Sequence, residues 1–277
     1  MKCRVWLSLL GLLAAGMFSN AFAQSTAPFR IGVAPHTSAR VIIEMYQPLR
    51  TYLEQSLKRP VEIVTAGDFT EFARRATQQQ YDLAITTGHQ ARLLETDFAY
   101  SPLLTYKADF KAVALVEKNN PAQEAKDLAG AQVIGLSPSS LVTIWGVHWL
   151  HRNNIPNTQM RFVSASDSVA QLLISGEGSV GFASLANYQN LPPAMQARLR
   201  IFAESLPLAG RVYVLNKKNA ALKEKIETAL WAFAETPEAQ QYFRKYKLDG
   251  YRKLEPRELL QMEPYANEVR QTLKEKK

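Results

Sequence analysis

Strand-length apolar runs alternate with helix-length amphipathic stretches from Phe29 to Leu94, and that alternation limits the chain to few folds. Phe29–Val33 reads as a short buried strand, followed by Val41, Ile42, Met45, Leu49, Leu53 and Leu57 at helical spacing across Ala39–Leu57. Pro48 lies within that stretch and either kinks the helix or marks its true first turn. Pro60–Val64 is a second strand, and Asp68–Thr77 a helix that turns Phe69, Phe72 and Ala73 inward. Tyr81–Thr86 is a third strand, leading into a short helix at Gln90–Leu94. A β-α-β-α-β order predicts a parallel sheet covered by helices on both faces.

A second unit of the same kind follows. Phe110–Glu117, Val133–Leu136, Arg161–Ser164 and Ser179–Ser184 read as strands, with helices at Leu141–Arg152 and Ser168–Ile174. The chain then returns through Ile201–Ala203 and a strand at Arg211–Asn216 to three closing helices, Ala220–Ala234, Pro237–Tyr246 and Glu255–Lys274. Nesting the second unit inside the first predicts two α/β lobes joined by two hinge strands. Lobe 1 would comprise residues 24–110 and 211–277, and lobe 2 residues 111–210. The candidate crossings are Leu104–Glu117 and Ser205–Asn216, both apolar strands flanked by turn residues.

The first 23 residues read as a cleaved secretory signal peptide. Lys2 and Arg4 precede a short apolar run that ends in small residues at Ala21-Phe22-Ala23. Cys3 is the only cysteine and leaves with that segment, so the mature chain would carry no disulfide. About 250 residues can bury a sufficient core without one. These features place the protein in the periplasm. The mature chain would hold 31 basic against 25 acidic residues, scattered rather than clustered. No basic-plus-aromatic pattern for nucleic acid is present, and none is expected as a partner. A mildly positive surface can still draw anions toward a cleft.

Catalytic chemistry finds little support in the motifs. There is no G-x-S-x-G elbow, HExxH or phosphate loop. His148 and His151 share a predicted helix face, but Trp145 and Trp149 flank them and no carboxylate is near in sequence, which favours a structural or surface role over a metal site. No catalytic residue, metal or cofactor is expected. Four strand-to-helix junctions are more informative: Pro35-His36-Thr37-Ser38, Thr86-Thr87-Gly88-His89, Ser137-Pro138-Ser139-Ser140 and Asp167-Ser168. All lie at the carboxyl ends of predicted strands, where open α/β sheets bind ligands. Helix starts bearing free N–H groups and hydroxyls suit an anion, although Ser139 or Ser140 can equally be an ordinary cap. Phe69 offers an apolar wall or, equally, a core aromatic.

Taken in order, several segments are fairly specific. They are FRIGVAP at Phe29–Pro35, YLEQSLKRPVEIV at Tyr52–Val64, DFTEF at Asp68–Phe72 and YDLAITTGHQA at Tyr81–Ala91. KDLAG at Lys126–Gly130, HRNNIP at His151–Pro156 and the stretch Ser166–Ser184 continue the series. Over roughly Phe29 to Phe233 the chain resembles the phosphate/phosphite/phosphonate-binding family of periplasmic substrate-binding proteins of ABC importers. The resemblance implies two α/β lobes that close on a small ligand. It implies an aromatic ligand contact at Phe69, and it puts Thr86 where the family often has a tyrosine. An oxyanion-cradling turn of Ser-Thr-Ser-Gly type falls on Ser139-Ser140-Leu141, with Leu141 in place of glycine. A His-Asp pair falls on Ser166-Asp167, keeping only the aspartate.

The expectation is therefore an exported, non-enzymatic binding protein, probed at Thr37, Phe69, Thr86, Thr87, Ser139, Ser140 and Asp167. Asp167 would orient a donor, pair with a cationic group on the ligand, or simply cap its helix. The partners implied are a small ligand, an oxyanion by preference, and an ABC importer permease; the protein itself would be a monomer. A sensor engaging a membrane histidine kinase is the alternative, and an exported hydrolase a remote one.

Overall fold

A computed structural model describes residues 27–275; the leader reading falls outside them. Two sheets organise the chain. Among the described residues the first has six strands and the second five. In the first, β1 (Phe29–Val33) pairs in parallel with β2 (Val61–Val64) and β3 (Leu83–Thr87). The α1 helix (Ala39–Leu57) and α2 (Phe69–Thr77) make the crossovers, and α3 (Gly88–Phe98) leads to β4 (Tyr100–Tyr106). The chain then leaves for the second sheet.

There β5 (Ala112–Glu117), β6 (Gln132–Gly135), β7 (Gln159–Phe162), β8 (Val180–Ser184) and β9 (Leu199–Glu204) are packed by α4 (Leu141–Arg152) and α5 (Ser166–Ile174). Short helices α6 (Leu185–Gln189) and α7 (Pro193–Gln196) precede the return. The return strand β10 (Arg211–Asn216) inserts between β3 and β4. Helices α8 (Lys223–Ala234) and α9 (Pro237–Tyr246), strand β11 (Tyr251–Arg252) and helix α10 (Glu263–Glu275) complete the first lobe.

The predicted parallel sheets are mixed. The strands that carry the chain between lobes run against their neighbours, β10 antiparallel to β3 and β4, and β5 antiparallel to β8 and β9. A nested unit must be entered and left, and these returning strands reverse direction. The expected strand at 110–117 is shorter, because Phe110 makes only an isolated bridge to Leu208. The last helix begins at Glu263 rather than Glu255, after a 3-10 turn at Leu260–Met262. Pro264 then occupies its first turn, where a missing N–H costs nothing. The strand expected at 161–164 lies two residues earlier, at 159–162.

Local chemistry explains the elements. Ser38 accepts from Val41 N and Asp68 from Glu71 N, capping α1 and α2. Pro48 sits within a continuous α1, whose Ile42, Met45, Tyr46, Leu49, Leu53 and Leu57 are buried against the sheet. Two glycines are required by close approach: a Cβ on Gly32 would stand 2.4 Å from the Tyr81 ring, and one on Gly146 2.3 Å from Phe182. The first lobe buries β1, β3 and β10 side chains against α1, α8 and α9. The second packs Val133, Ile134, Trp145, Val169, Leu173, Val180 and Phe182 into an apolar core.

Candidate functional site

The carboxyl ends of β1, β3, β6 and β8 face one another where the lobes meet. A residual cavity of about 30 Å³ lies there. It is lined by His36, Phe69 and Thr87 of the first lobe, Ser140, Leu141, Val142, Ser184 and Asn187 of the second, and Phe110 of the crossing. That volume holds about two waters. The lobes are closed.

The closure has named hydrogen bonds. The Ser139 carbonyl accepts from His89 Nε2 at 3.0 Å and from Gln90 Nε2 at 3.3 Å. Thr70 Oγ1 donates to Ser139 Oγ at 3.0 Å, and Asn187 Nδ2 to the His36 carbonyl at 3.4 Å. Because Ser139 O can only accept, His89 carries its proton on Nε2. Its Nδ1 then accepts from Thr87 Oγ1 at 3.1 Å. Burial, opposed by the Ser139 carbonyl, pushes His89 down to about 4, so it is neutral at physiological pH. Thr86 Oγ1 donates to Gln90 Oε1 at 2.9 Å and holds that side chain toward Ser139.

Donors remain at the cavity. The α4 N-cap is Ser140, whose hydroxyl makes no capping bond. Among the described residues, nothing accepts from the amides of Leu141, Val142 and Thr143 in its first turn. An unsatisfied helix N-terminus carries roughly half a positive charge. Thr87, the N-cap of α3, likewise makes no side-chain capping bond, but the first amide of that helix, Gly88 N, donates to the Ala209 carbonyl at 3.1 Å, so the open helix start at the cavity is that of α4. The α4 amides and the Ser140 hydroxyl can solvate a compact anion without a metal, while the Thr87 hydroxyl proton is committed to His89.

Of the residues singled out from sequence, Phe69, Thr87 and Ser140 line the cavity. Ser139 and Thr86 do not line it; Ser139 makes the cross-lobe bonds, and Thr86 holds Gln90 within its own lobe. Thr37 is half-buried and Asp167 exposed, and neither lines the cavity. Asp167 Oδ1 instead accepts from Ser168 N at 3.2 Å. That junction reaches the cavity indirectly, because Ser166 Oγ accepts from cavity-lining Asn187 Nδ2 at 2.6 Å. Sequence reasoning missed Gln90, Asn187, Ser184 and the apolar wall of Leu141 and Val142. Ser184 ends β8 and caps α6, the same strand-to-helix signal as the other four junctions.

The two paired histidines have separate placements. His148 Nε2 lies 3.1 Å from Glu268 Oε1 and its ring stacks on Tyr265, tying α4 to α10; His151 is exposed. Among the described residues no group of three or more His, Cys, Asp or Glu could hold a metal. No helix among them is long and apolar enough to cross a membrane.

A family model for the phosphonate periplasmic substrate-binding protein of ABC transporters matches residues 31–259. The chain belongs to that family. Solved structures agree on the fold. PhnD1 of Prochlorococcus marinus, solved with methylphosphonate, superposes with a TM-score of 0.75 at 15% identity, covering 87% of this chain and 98% of that one. XAC2383 of Xanthomonas citri, solved with ATP, gives 0.74 at 20% identity, covering 89% and 99%. A binding-protein component of an ABC phosphonate transporter from Pseudomonas aeruginosa gives 0.70 at 14% identity, covering 90% and 94%. No curated protein matches the chain. Members of this phosphonate-binding family are periplasmic solute-binding proteins of transport systems rather than enzymes.

Proposed function

We propose that the protein captures a small phosphorus oxyanion, of the phosphonate or phosphite class, between its lobes and delivers it to an ABC importer permease from the periplasm. The observation that carries this reading is the unsatisfied first turn of α4. The Ser140 hydroxyl and the free amides of cavity-lining Leu141 and Val142 meet the Thr87 end of α3 across one small cavity. Fixed backbone donors suit a compact oxyanion because little must reorder on binding. The neighbours solved with methylphosphonate and with ATP both hold phosphorus oxyanions, which supports the same class here.

In this reading Ser140 and Thr87 touch the ligand and Phe69 packs on its substituent. Ser139 and Thr86 hold the two helix starts in place. The cavity is too small for a phosphonate, so the ligand enters with the lobes apart. It then replaces part of the cleft's own contacts as they close, shifting the balance toward the closed form. Thr37 and Asp167 lie outside the closed cavity and are assigned no contact.

Thermal unfolding against methylphosphonate, phosphite, phosphate, methanesulfonate and amino acids tests this. A ligand at one hundred times its dissociation constant adds about 2.7 kcal/mol to stability. A shift with the phosphorus oxyanions that falls in Ser140→Ala is the expected result. A shift with amino acids alone would retain a binding protein and discard the oxyanion. No shift with any compound would remove the importer role and leave a partner-binding sensor.

A further inference from the structure

Arg211 opens β10 directly opposite Thr87 of β3. In an antiparallel pair such residues share a face, so its side chain runs toward α1 beside the cleft. Nη1 donates to His36 Nε2 at 3.1 Å and lies 3.4 Å from Tyr46 OH and 3.8 Å from Met45 Sδ. The guanidinium carbon sits 5.2 Å from the centre of the Tyr106 ring. Every one of these partners is neutral. Among the described residues no Asp or Glu pairs with Arg211 within 4.0 Å.

Beyond that shell, Tyr106 bonds Tyr213 at 2.6 Å and also Tyr242, while Tyr213 bonds Tyr251 at 2.9 Å. Burial raises the ionisation of Tyr106, Tyr213 and Tyr242 well above the ordinary phenol range, so none of them supplies a negative charge. His36 cannot be a second cation. Its Nδ1 donates to the Ala34 carbonyl at 2.9 Å, its Nε2 lone pair is taken by Arg211, and burial together with the Arg211 charge holds it down at about 3. His89, the other titratable group at the cleft, is also neutral.

Arg211 is half-buried, and a cation partly withdrawn from water without a counter-ion is costly. His36 touches Arg211 on one side and lines the cavity on the other. The charge is therefore one imidazole ring away from the ligand position. We infer that Arg211, acting across the His36 ring, is the counter-charge of the ligand's anionic group and sets a preference for doubly over singly charged oxyanions. This rests on the proposed oxyanion function and deepens it. The Ser140 hydroxyl and the amides at the start of α4 recognise shape; Arg211 counts charge. Being an arginine, it does so without titrating, so only the ligand's own ionisation enters the pH profile.

Calorimetric titration of the purified protein with methylphosphonate and methanesulfonate separates the parts. These probes are near-isosteres, and only the first loses a second proton between about pH 6 and pH 8. The wild type is expected to bind methylphosphonate more tightly as that proton leaves, with methanesulfonate unchanged over the same interval. In Arg211→Met the methylphosphonate affinity at the higher pH is expected to fall about tenfold or more, and the preference to level out.

A wild-type preference that ignores ligand ionisation overturns the inference without any variant, should Arg211→Met fail to melt cooperatively. So does an Arg211→Met protein that keeps the preference. Either result leaves the oxyanion function standing if the wild type binds methylphosphonate. A wild type that binds neither methylphosphonate nor phosphate overturns both.

Discussion

The two walls of the cleft are built from different materials. The first lobe contributes side-chain functional groups, namely the imidazoles of His36 and His89, the Gln90 amide and the Arg211 charge, backed by hydrogen-bonded tyrosines. The second contributes mainly main chain and hydroxyls, the Ser139 carbonyl and the α4 amides, backed by a core of Trp145, Phe182 and aliphatic residues. Charge is kept in the first beside a cluster of tyrosines that hydrogen-bond one another. An unpaired charge in the apolar core of the second would cost far more than the two hydroxyls, Ser137 and Thr143, that it buries without a partner. The difference suggests that the first lobe sets which charge is accepted, and the second holds a rigid cradle at the end of α4.

The contrast is most exposed to substitution in the second core. Phe182 is fully buried, meets Trp145 edge-on at 6.1 Å and closes over Gly146. Phe182→Ala should cost about 3–5 kcal/mol in urea unfolding. A cost under 1 kcal/mol would mean that this core is looser than its packing implies.

Acid should attack the other wall. His89 is held at about 4, against an ordinary value of 6.5, because burial disfavours its charged form. Its folded pKa is depressed, so the unfolded chain binds the extra proton first. The stabilisation is whole above about pH 6.5 and is lost as pH falls through 4, about 3 kcal/mol in all. His36, held lower still, extends the loss toward about 3. Chemical denaturation at stepped pH should show this slope, and His89→Gln should flatten its upper part. An unchanged slope in that variant would place the proton uptake elsewhere.

The smallest effect is expected at Tyr106, the hub of the tyrosine cluster. Tyr106→Phe keeps the ring under Arg211 and removes hydrogen bonds to Tyr213 and Tyr242. A loss of about 1–3 kcal/mol is expected, since its buried partners lose a bond. A neutral result would show that the cluster re-pairs among its remaining hydroxyls.

Sequence made the scaffold legible because alternation of apolar strands with amphipathic helices is a local signal. Phe69, Thr87 and Ser140 could be singled out because each stands where a strand hands over to a helix, and such positions meet at one edge of a sheet. Arg211 could not. Nothing near it in the chain marks it; its importance comes from β10 returning after the whole second lobe to lie beside β3. Gln90 and Asn187 were hidden for the same reason, since their partners are 49 and 151 residues away. Mixed strand direction was equally invisible, because periodicity records which face is buried and not which way a strand runs.

The two chain crossings are themselves bonded to one another. Ser205 N donates to the Ala112 carbonyl and Leu208 N to that of Phe110, both at 2.8 Å, and Ala112 N donates back to Ser205 Oγ. A pair of separate tethers would let one lobe slide or twist over the other. Stitched into a ribbon, they behave like a door on two pins, free to swing about one axis and stiff against shear. The mouth should therefore gape along a single arc, and each return along that arc brings Ser139 back to His89 and Gln90 in the same register.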